Sequence, residues 1–187
     1  MDKKHTNIEY EQELKHLQEY LLSMAGHVEQ MINLSIKSVV NQDTRLAEDT
    51  ILEDRKVNAL EVKTDELCLL ILAKRHPLAS DLRFITLAFK MVTDLERIGD
   101  LAVNICERSI KLNEQPQLKP YEDIPYMAKI VQTMIKDAID AFVNRDAEKA
   151  QDVMNRDDLV DDLYYKITED LLQIMLKNSD SIERGIH

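Results

Sequence analysis

The 187-residue sequence has few residues that interrupt helices, with three glycines, four prolines and no tryptophan. Glycine and proline disfavour the helical backbone and mark tight turns, so their scarcity excludes a β-sandwich, which needs many turns. Leucine, isoleucine, methionine, glutamate and lysine are abundant instead. The sequence therefore predicts an all-α fold built from long helices.

Basic residues are also in short supply, with 24 Lys and Arg against 35 Asp and Glu and a formal net charge of −11. Such a surface repels phosphate backbones and anionic lipid, which argues against a nucleic-acid partner. No run of about 18 apolar residues occurs, so direct membrane insertion is not expected. Charged residues occupy the start of the chain, where a secretory signal would be apolar, and a cytoplasmic location is predicted. Cys68 and Cys106 form no CxxC motif and are predicted to be buried.

Apolar residues recur with a period of 3.6 and predict five helices, at 8–41, 44–75, 80–112, 126–144 and 147–177. Asp43 is the predicted N-cap of the second helix, and Pro77 is predicted to end it. Three prolines cluster between the third and fourth helices. The predicted division is a first three-helix bundle at 1–113, a proline-containing linker at 114–125 and a second bundle at 126–187.

Two segments of the chain resemble each other without a gap. The sequence VNQDTRLAEDT starting at Val40 aligns with VNRDAEKAQDV starting at Val143, which places Asp43 opposite Asp146. Shared helical periodicity would align apolar positions, but it would not also align the VN-x-D corner. The sequence thus predicts two tandem three-helix-bundle repeats, with the final helix of the second repeat missing from this chain. The apolar faces left in that repeat need a cover, which favours a homodimer.

Acidic side chains form rows on the second and third predicted helices. The row on the second helix follows i, i+4, i+7 and i+11 spacing and consists of Asp54, Asn58, Glu61 and Asp65. Glu96 and Asp100 stack at i, i+4 on the third helix, next to Gly99. Stacked carboxylates repel one another unless a cation offsets the charge, and oxygen ligands suit Mg, Mn, Fe, Zn or Ca. The alternative is a solvated acidic helix face.

The segment 73–109, AKRHPLASDLRFITLAFKMVTDLERIGDLAVNICERS, closely resembles the signature of the PhoU family, and LEDRKVNALEVKTDE before it resembles the matching part of that family's second helix. The resemblance implies a negative regulator of phosphate uptake. Such a regulator would act at the cytoplasmic face, between the ATPase subunit of the phosphate ABC transporter and the phosphate sensor histidine kinase. It also implies metal binding through E/D-xxx-D motifs, which fall here on Glu96 with Asp100 and on Glu61 with Asp65.

The second repeat departs from this pattern. Asp157 and Asp161 correspond to Asp54 and Asn58, but tyrosine and threonine stand at the positions of Glu61 and Asp65. We therefore expect at most a weaker second site at Asp157 and Asp161.

Two other functions stay open at this point. One is a carboxylate-bridged metalloprotein of ferritin-like type, suggested by the single E-x-x-H of Glu13 and His16, although that site needs two such motifs. The other is a metal-free helical adaptor. The sequence shows neither a nucleophile with its base nor a phosphate-binding glycine-rich loop, and no enzymatic activity is predicted.

Overall fold

The computed structural model describes residues 8–187 and shows only helices and turns in that part of the chain, which confirms the predicted all-α class. The helices are α1 (Ile8–Val40), α2 (Thr44–Arg75), α3 (Ala79–Leu112), α4 (Asp123–Asn144), α5 (Ala147–Asn155), α6 (Asp157–Lys177) and α7 (Ile182–Ile186), with a 3₁₀ turn at Ser179–Ser181. Within residues 8–187, every helix is too short or too polar to cross a membrane.

Helices α1, α2 and α3 pack against one another and form the first bundle, and α4 packs on the outside of α1. Each fully buried aliphatic side chain contributes roughly 1.5–3 kcal/mol relative to an exposed one. The largest such side chains in this core are Leu17, Leu21, Met24, Met31, Ile71 and Ile85. The rings of Phe84 and Phe142 stack with their centroids 4.8 Å apart, which ties α3 to α4.

The backbone repeats at the corner that precedes α2 and α5. Asp43 and Asp146 are extended N-caps, and their carboxylates accept hydrogen bonds of 2.9 Å from the N–H groups of Leu46 and Lys149. The residues just before these caps both adopt left-handed conformations, with φ 53° and 56°. At the same spacing, α3 begins at Ala79 and α7 begins at Ile182. The duplication predicted from sequence is therefore visible in the chain's geometry.

Four helix boundaries differ from the prediction. Helix α1 ends at Val40, one residue before its predicted end. The predicted fifth helix is divided at Arg156, where the Leu159 N–H bonds the Arg156 carbonyl and tightens the turn to 3₁₀ type. Helix α4 begins at Asp123, three residues before the predicted start. Pro125 is tolerated in the first turn because N–H groups there have no hydrogen-bond partner within the helix, so the missing N–H of proline costs nothing. Helix α3 begins at Ala79, one residue before the predicted start.

Candidate metal-binding groove

Helices α2 and α3 lie antiparallel and in close contact. A Cβ atom added at Gly99 would lie 3.4 Å from Val57 Cγ1 and 3.5 Å from Asp54 Oδ1. Farther along, the Cys68 Sγ lies 4.0 Å from the carbonyl oxygen of Ile85. This pairing places the acidic rows of the two helices side by side, along the seam between α2 and α3 that is called here the α2–α3 groove. Both distances are ordinary van der Waals contacts, so an alanine would also fit at position 99, and the packing of α2 on α3 does not explain the interior glycine.

The side chains on the α2 side of the groove are partly buried and incompletely hydrogen-bonded. Asn58 Nδ2 donates to Asp54 Oδ2 at 2.7 Å. The other oxygens of these two residues, together with Asp65 Oδ1, are shielded from solvent and accept no hydrogen bond. A buried acceptor without a donor costs roughly 1–3 kcal/mol, so three in one groove call for protons or a cation.

The electrostatics of the groove favour the protonated carboxyls. Burial raises the pKa of Asp54, Glu61, Asp65 and Glu96. Neighbouring carboxylates add to the effect, since Asp65 and Asp100 raise the pKa of Glu61, and Asp100 and Glu61 raise that of Glu96. The charges that act on Glu61 and Glu96 are all negative. A bound cation would relieve both the burial cost and the repulsion.

The structure thus brings the six predicted residues of the first repeat to one groove: Asp54, Asn58, Glu61, Asp65, Glu96 and Asp100. Across residues 8–187, no three His, Cys, Asp or Glu side chains converge closely enough to hold one ion. The groove therefore offers oxygen ligands of the predicted types without a preformed cage of three. Asp157 and Asp161, the residues predicted for the weaker site, are exposed in the first turns of α6.

Glu13, part of the E-x-x-H motif, has a different role. Its two carboxylate oxygens accept hydrogen bonds from Arg75 Nε and Nη2 at 2.9 and 2.8 Å. This bidentate pair lowers the pKa of Glu13 and joins α1 to the end of α2. The ion pair occupies the oxygens that a ferritin-like metal site would use.

The sequence pattern did not reveal the three unpaired oxygens, because they depend on how α2 packs against α3. It also missed an ion-pair network in the second repeat. Asp137 bonds Arg156 at 2.7 Å and Lys149 at 3.1 Å, and these two partners lower its pKa. The aspartate stands on α4 and both partners stand on or next to α5, so only the packing of α4 on α5 brings them together.

Comparisons with known proteins agree with the fold. The family model of the PhoU domain matches residues 21–109 and 124–187. The PhoU homolog of Aquifex aeolicus, a phosphate-specific transport system accessory protein, is 38% identical over 94% of this chain and 79% of its own length. The Escherichia coli PhoU accessory protein is 34% identical over 96% of this chain and 74% of its own length. The crystal structure of PhoU from Pseudomonas aeruginosa is similar with a TM-score of 0.90 and 35% identity, covering 95% of this chain and 85% of that one. The chain therefore belongs to the PhoU family.

Proposed function

We propose that this protein is a cytoplasmic negative regulator of phosphate uptake and of phosphate-responsive signalling, and that it binds metal ions in the α2–α3 groove. Its relatives from Aquifex aeolicus and Escherichia coli are named as accessory proteins of phosphate-specific transport, which supports a role beside that transporter. The observation that carries the metal-binding part is the set of three buried, unpaired oxygens among the acidic side chains of the groove.

The residues that would hold the metal come from both helices of the groove. Helix α2 offers Asp54, Asn58, Glu61 and Asp65, and α3 offers Glu96 and Asp100. These are hard oxygen ligands, which suit Mg, Mn, Fe, Zn or Ca ions. The ion would supply positive charge that stabilises the ionised carboxylates and links α2 to α3. The role is binding and signalling, without catalysis.

Replacing Glu96 and Asp100 together by alanine is expected to lower metal affinity at least about tenfold, because the α3 side of the groove then offers no carboxylate. The measurement is metal content after equilibration with Mn²⁺ and gel filtration. The matched control is Asp158→Ala with Asp162→Ala, which removes the same charge from exposed positions of α6 outside both predicted sites and should keep the bound metal.

Two results would contradict the metal site. One is a wild-type protein that retains no metal, and the other is a metal content that Glu96→Ala with Asp100→Ala leaves unchanged. Either result would favour the metal-free adaptor. Oxygen consumption by the wild type with added Fe²⁺ would instead favour the ferritin-like alternative.

The regulatory part of the proposal names two protein partners, the ATPase subunit of the phosphate ABC transporter and the phosphate sensor histidine kinase. The immobilised protein is expected to retain the purified ATPase subunit, and the amount retained should depend on the phosphate concentration. A pull-down at high and low phosphate measures this, with serum albumin as the unrelated control. Absence of the ATPase subunit in both conditions would contradict the adaptor role.

We also propose that the protein forms a homodimer through its second repeat. Several large apolar side chains of α4 and α6 are exposed, among them Tyr126, Tyr165, Leu172 and Leu176. Covering them with the same face of another copy would bury apolar surface on both sides. Sedimentation equilibrium checks this, and a monomer mass at tens of micromolar protein would rule it out.

A further inference from the structure

The α2–α3 groove does not end with its acidic side chains but continues into an apolar half. Leu69 follows Asp65 by one turn on α2, while Leu82 and Phe89 precede Glu96 by multiples of seven residues on α3. This spacing keeps all three on the groove face of their helices. The antiparallel pairing of Cys68 with Ile85 brings these stretches to the same end of the groove. The groove therefore has an acidic half and an apolar half.

The three apolar side chains are open to solvent. Leu69 is 59% exposed, Leu82 is 43% exposed and Phe89 is 38% exposed. Single exposed leucines are ordinary, but three large apolar side chains on one continuous face beside a charged cluster are typical of an interaction surface. Because this surface runs along two neighbouring helices, a helix of a partner protein can pack along it.

The charges of the groove define the chemistry of such a helix. By helical spacing, the basic residues Lys63 and Lys90 project away from the groove face, whereas the face itself carries Asp54, Glu61 and Asp65. Lysine and arginine side chains pair with carboxylates and would bring positive charge to this negatively charged face.

We propose that the α2–α3 groove docks a basic amphipathic helix of a partner protein, and that this helix and bound metal ions compete for the groove. The apolar face of the helix packs on Leu69, Leu82 and Phe89, and its Lys or Arg side chains pair with the carboxylates of the acidic half. Competition follows because either occupant neutralises the same carboxylates. Only this competition rests on the proposed metal site, since the docking surface stands on the apolar half and on charge complementarity.

The experiment uses a fluorescein-labelled 18-residue helical peptide as the probe. One half of the peptide carries leucines at i, i+4 and i+7. The other half carries lysines at the same spacing, on the same face of the helix. Fluorescence anisotropy with the full chain should show at least about tenfold weaker binding when the lysines are replaced by glutamine. Leu69→Ser with Phe89→Ser, and separately Asp65→Asn with Glu96→Gln, should each weaken binding of the lysine peptide about tenfold. Mn²⁺ should displace the peptide, and a chelator should restore binding.

Two matched controls separate the groove from the general negative charge of the chain. Asp158→Asn with Asp162→Asn removes equal charge from exposed positions of α6, and Leu52→Ser with Leu101→Ser removes exposed leucines from the sides of α2 and α3 that face away from the groove. Both should bind the lysine peptide as the wild type does, and circular dichroism confirms that each variant is folded. Equal weakening by these controls would show non-specific attraction and overturn the proposal.

Other occupants give their own results. If Leu69→Ser with Phe89→Ser abolishes a dimer and leaves peptide affinity unchanged, the groove belongs to a second copy, and the proposal is wrong. If the wild type binds phosphatidylcholine vesicles and the same variant does not, the apolar half belongs to a membrane contact, and the proposal is again wrong. If the wild type retains Mn²⁺ but binds no peptide, the proposed metal site stands and only the docking proposal is overturned.

Discussion

Leu21→Ala is expected to lower the free energy of unfolding by about 3 kcal/mol, the largest single-residue effect on stability that we predict. Leu21 is fully buried in the first bundle, with 0% of its side chain exposed. Removal of a buried leucine loses the transfer free energy of the deleted atoms and leaves a cavity, which together cost about 2–5 kcal/mol. Domains are stable by only about 5–15 kcal/mol, so the variant loses a large share of its stability.

The next residue along α1 provides a matched control. Leu22 is 45% exposed, so Leu22→Ala makes the same chemical change without a closed cavity and should cost less than about 1 kcal/mol. Urea unfolding followed by circular dichroism measures both variants against the wild type. Equal losses of unfolding free energy in the two variants would mean that α1 does not pack into the core through the face that carries Leu21.

Most of the fold could be predicted from the sequence because its main features are local. Asp43 caps α2 through an N–H group only three residues later, and the same short-range pattern recurs at Asp146, so the repeat could be predicted from the sequence alone. The division between α5 and α6 could not be predicted. It occurs at Arg156 without glycine or proline, where a 3₁₀ hydrogen bond forms and where Arg156 pairs with Asp137, which is distant in sequence.

The acidic groove was predictable in part. Helical spacing alone aligns Glu61 with Asp65 and Glu96 with Asp100, because residues four apart stack on one face. Which oxygens lack a donor depends on the distance between α2 and α3 at Gly99, and no single-helix pattern contains that distance. The apolar half could not be predicted for a related reason. Leucine and phenylalanine at helical spacing normally indicate a core, and only the packing shows that Leu69 and Phe89 stay exposed.

Neutralising the acidic half by Glu61→Gln, Asp65→Asn and Glu96→Gln is expected to stabilise the metal-free protein by roughly 1 kcal/mol, since like-charge pairs one turn apart each cost a few tenths. The same substitutions should abolish stabilisation by metal. At a hundredfold excess of Mn²⁺ over its Kd, the wild type should gain about 2.7 kcal/mol and the variant almost none. Urea unfolding with Mn²⁺ and with a chelator measures both effects.

The control removes three negative charges from exposed positions of α6, through Asp158→Asn, Asp162→Asn and Glu169→Gln. This variant should keep the stabilisation by Mn²⁺, because the change in net charge is the same and the groove is intact. A wild type that gains no stability with Mn²⁺ would contradict the metal site. A control variant that also loses the gain would assign the metal effect to net charge.

The pH dependence of the same variant gives an independent check on the groove. The folded protein raises the pKa of Glu61, Asp65 and Glu96, chiefly through burial, above the ordinary values of 3.8 for aspartate and 4.5 for glutamate. Between the ordinary and the raised pKa, the folded state holds more protons than the unfolded state, so the contribution of these groups to stability falls as the pH rises.

Carboxyls such as Glu13 and Asp137 have lowered pKa values, and their stabilising contribution is lost in acid instead. They are present in both proteins, so they cancel when the neutralised variant is compared with the wild type. With a chelator present, the stability advantage of the variant should be small near pH 4, increase as the pH rises, and level off above the raised pKa values. An advantage that stays constant from pH 4 to 8 would show that the groove carboxyls titrate as ordinary surface acids.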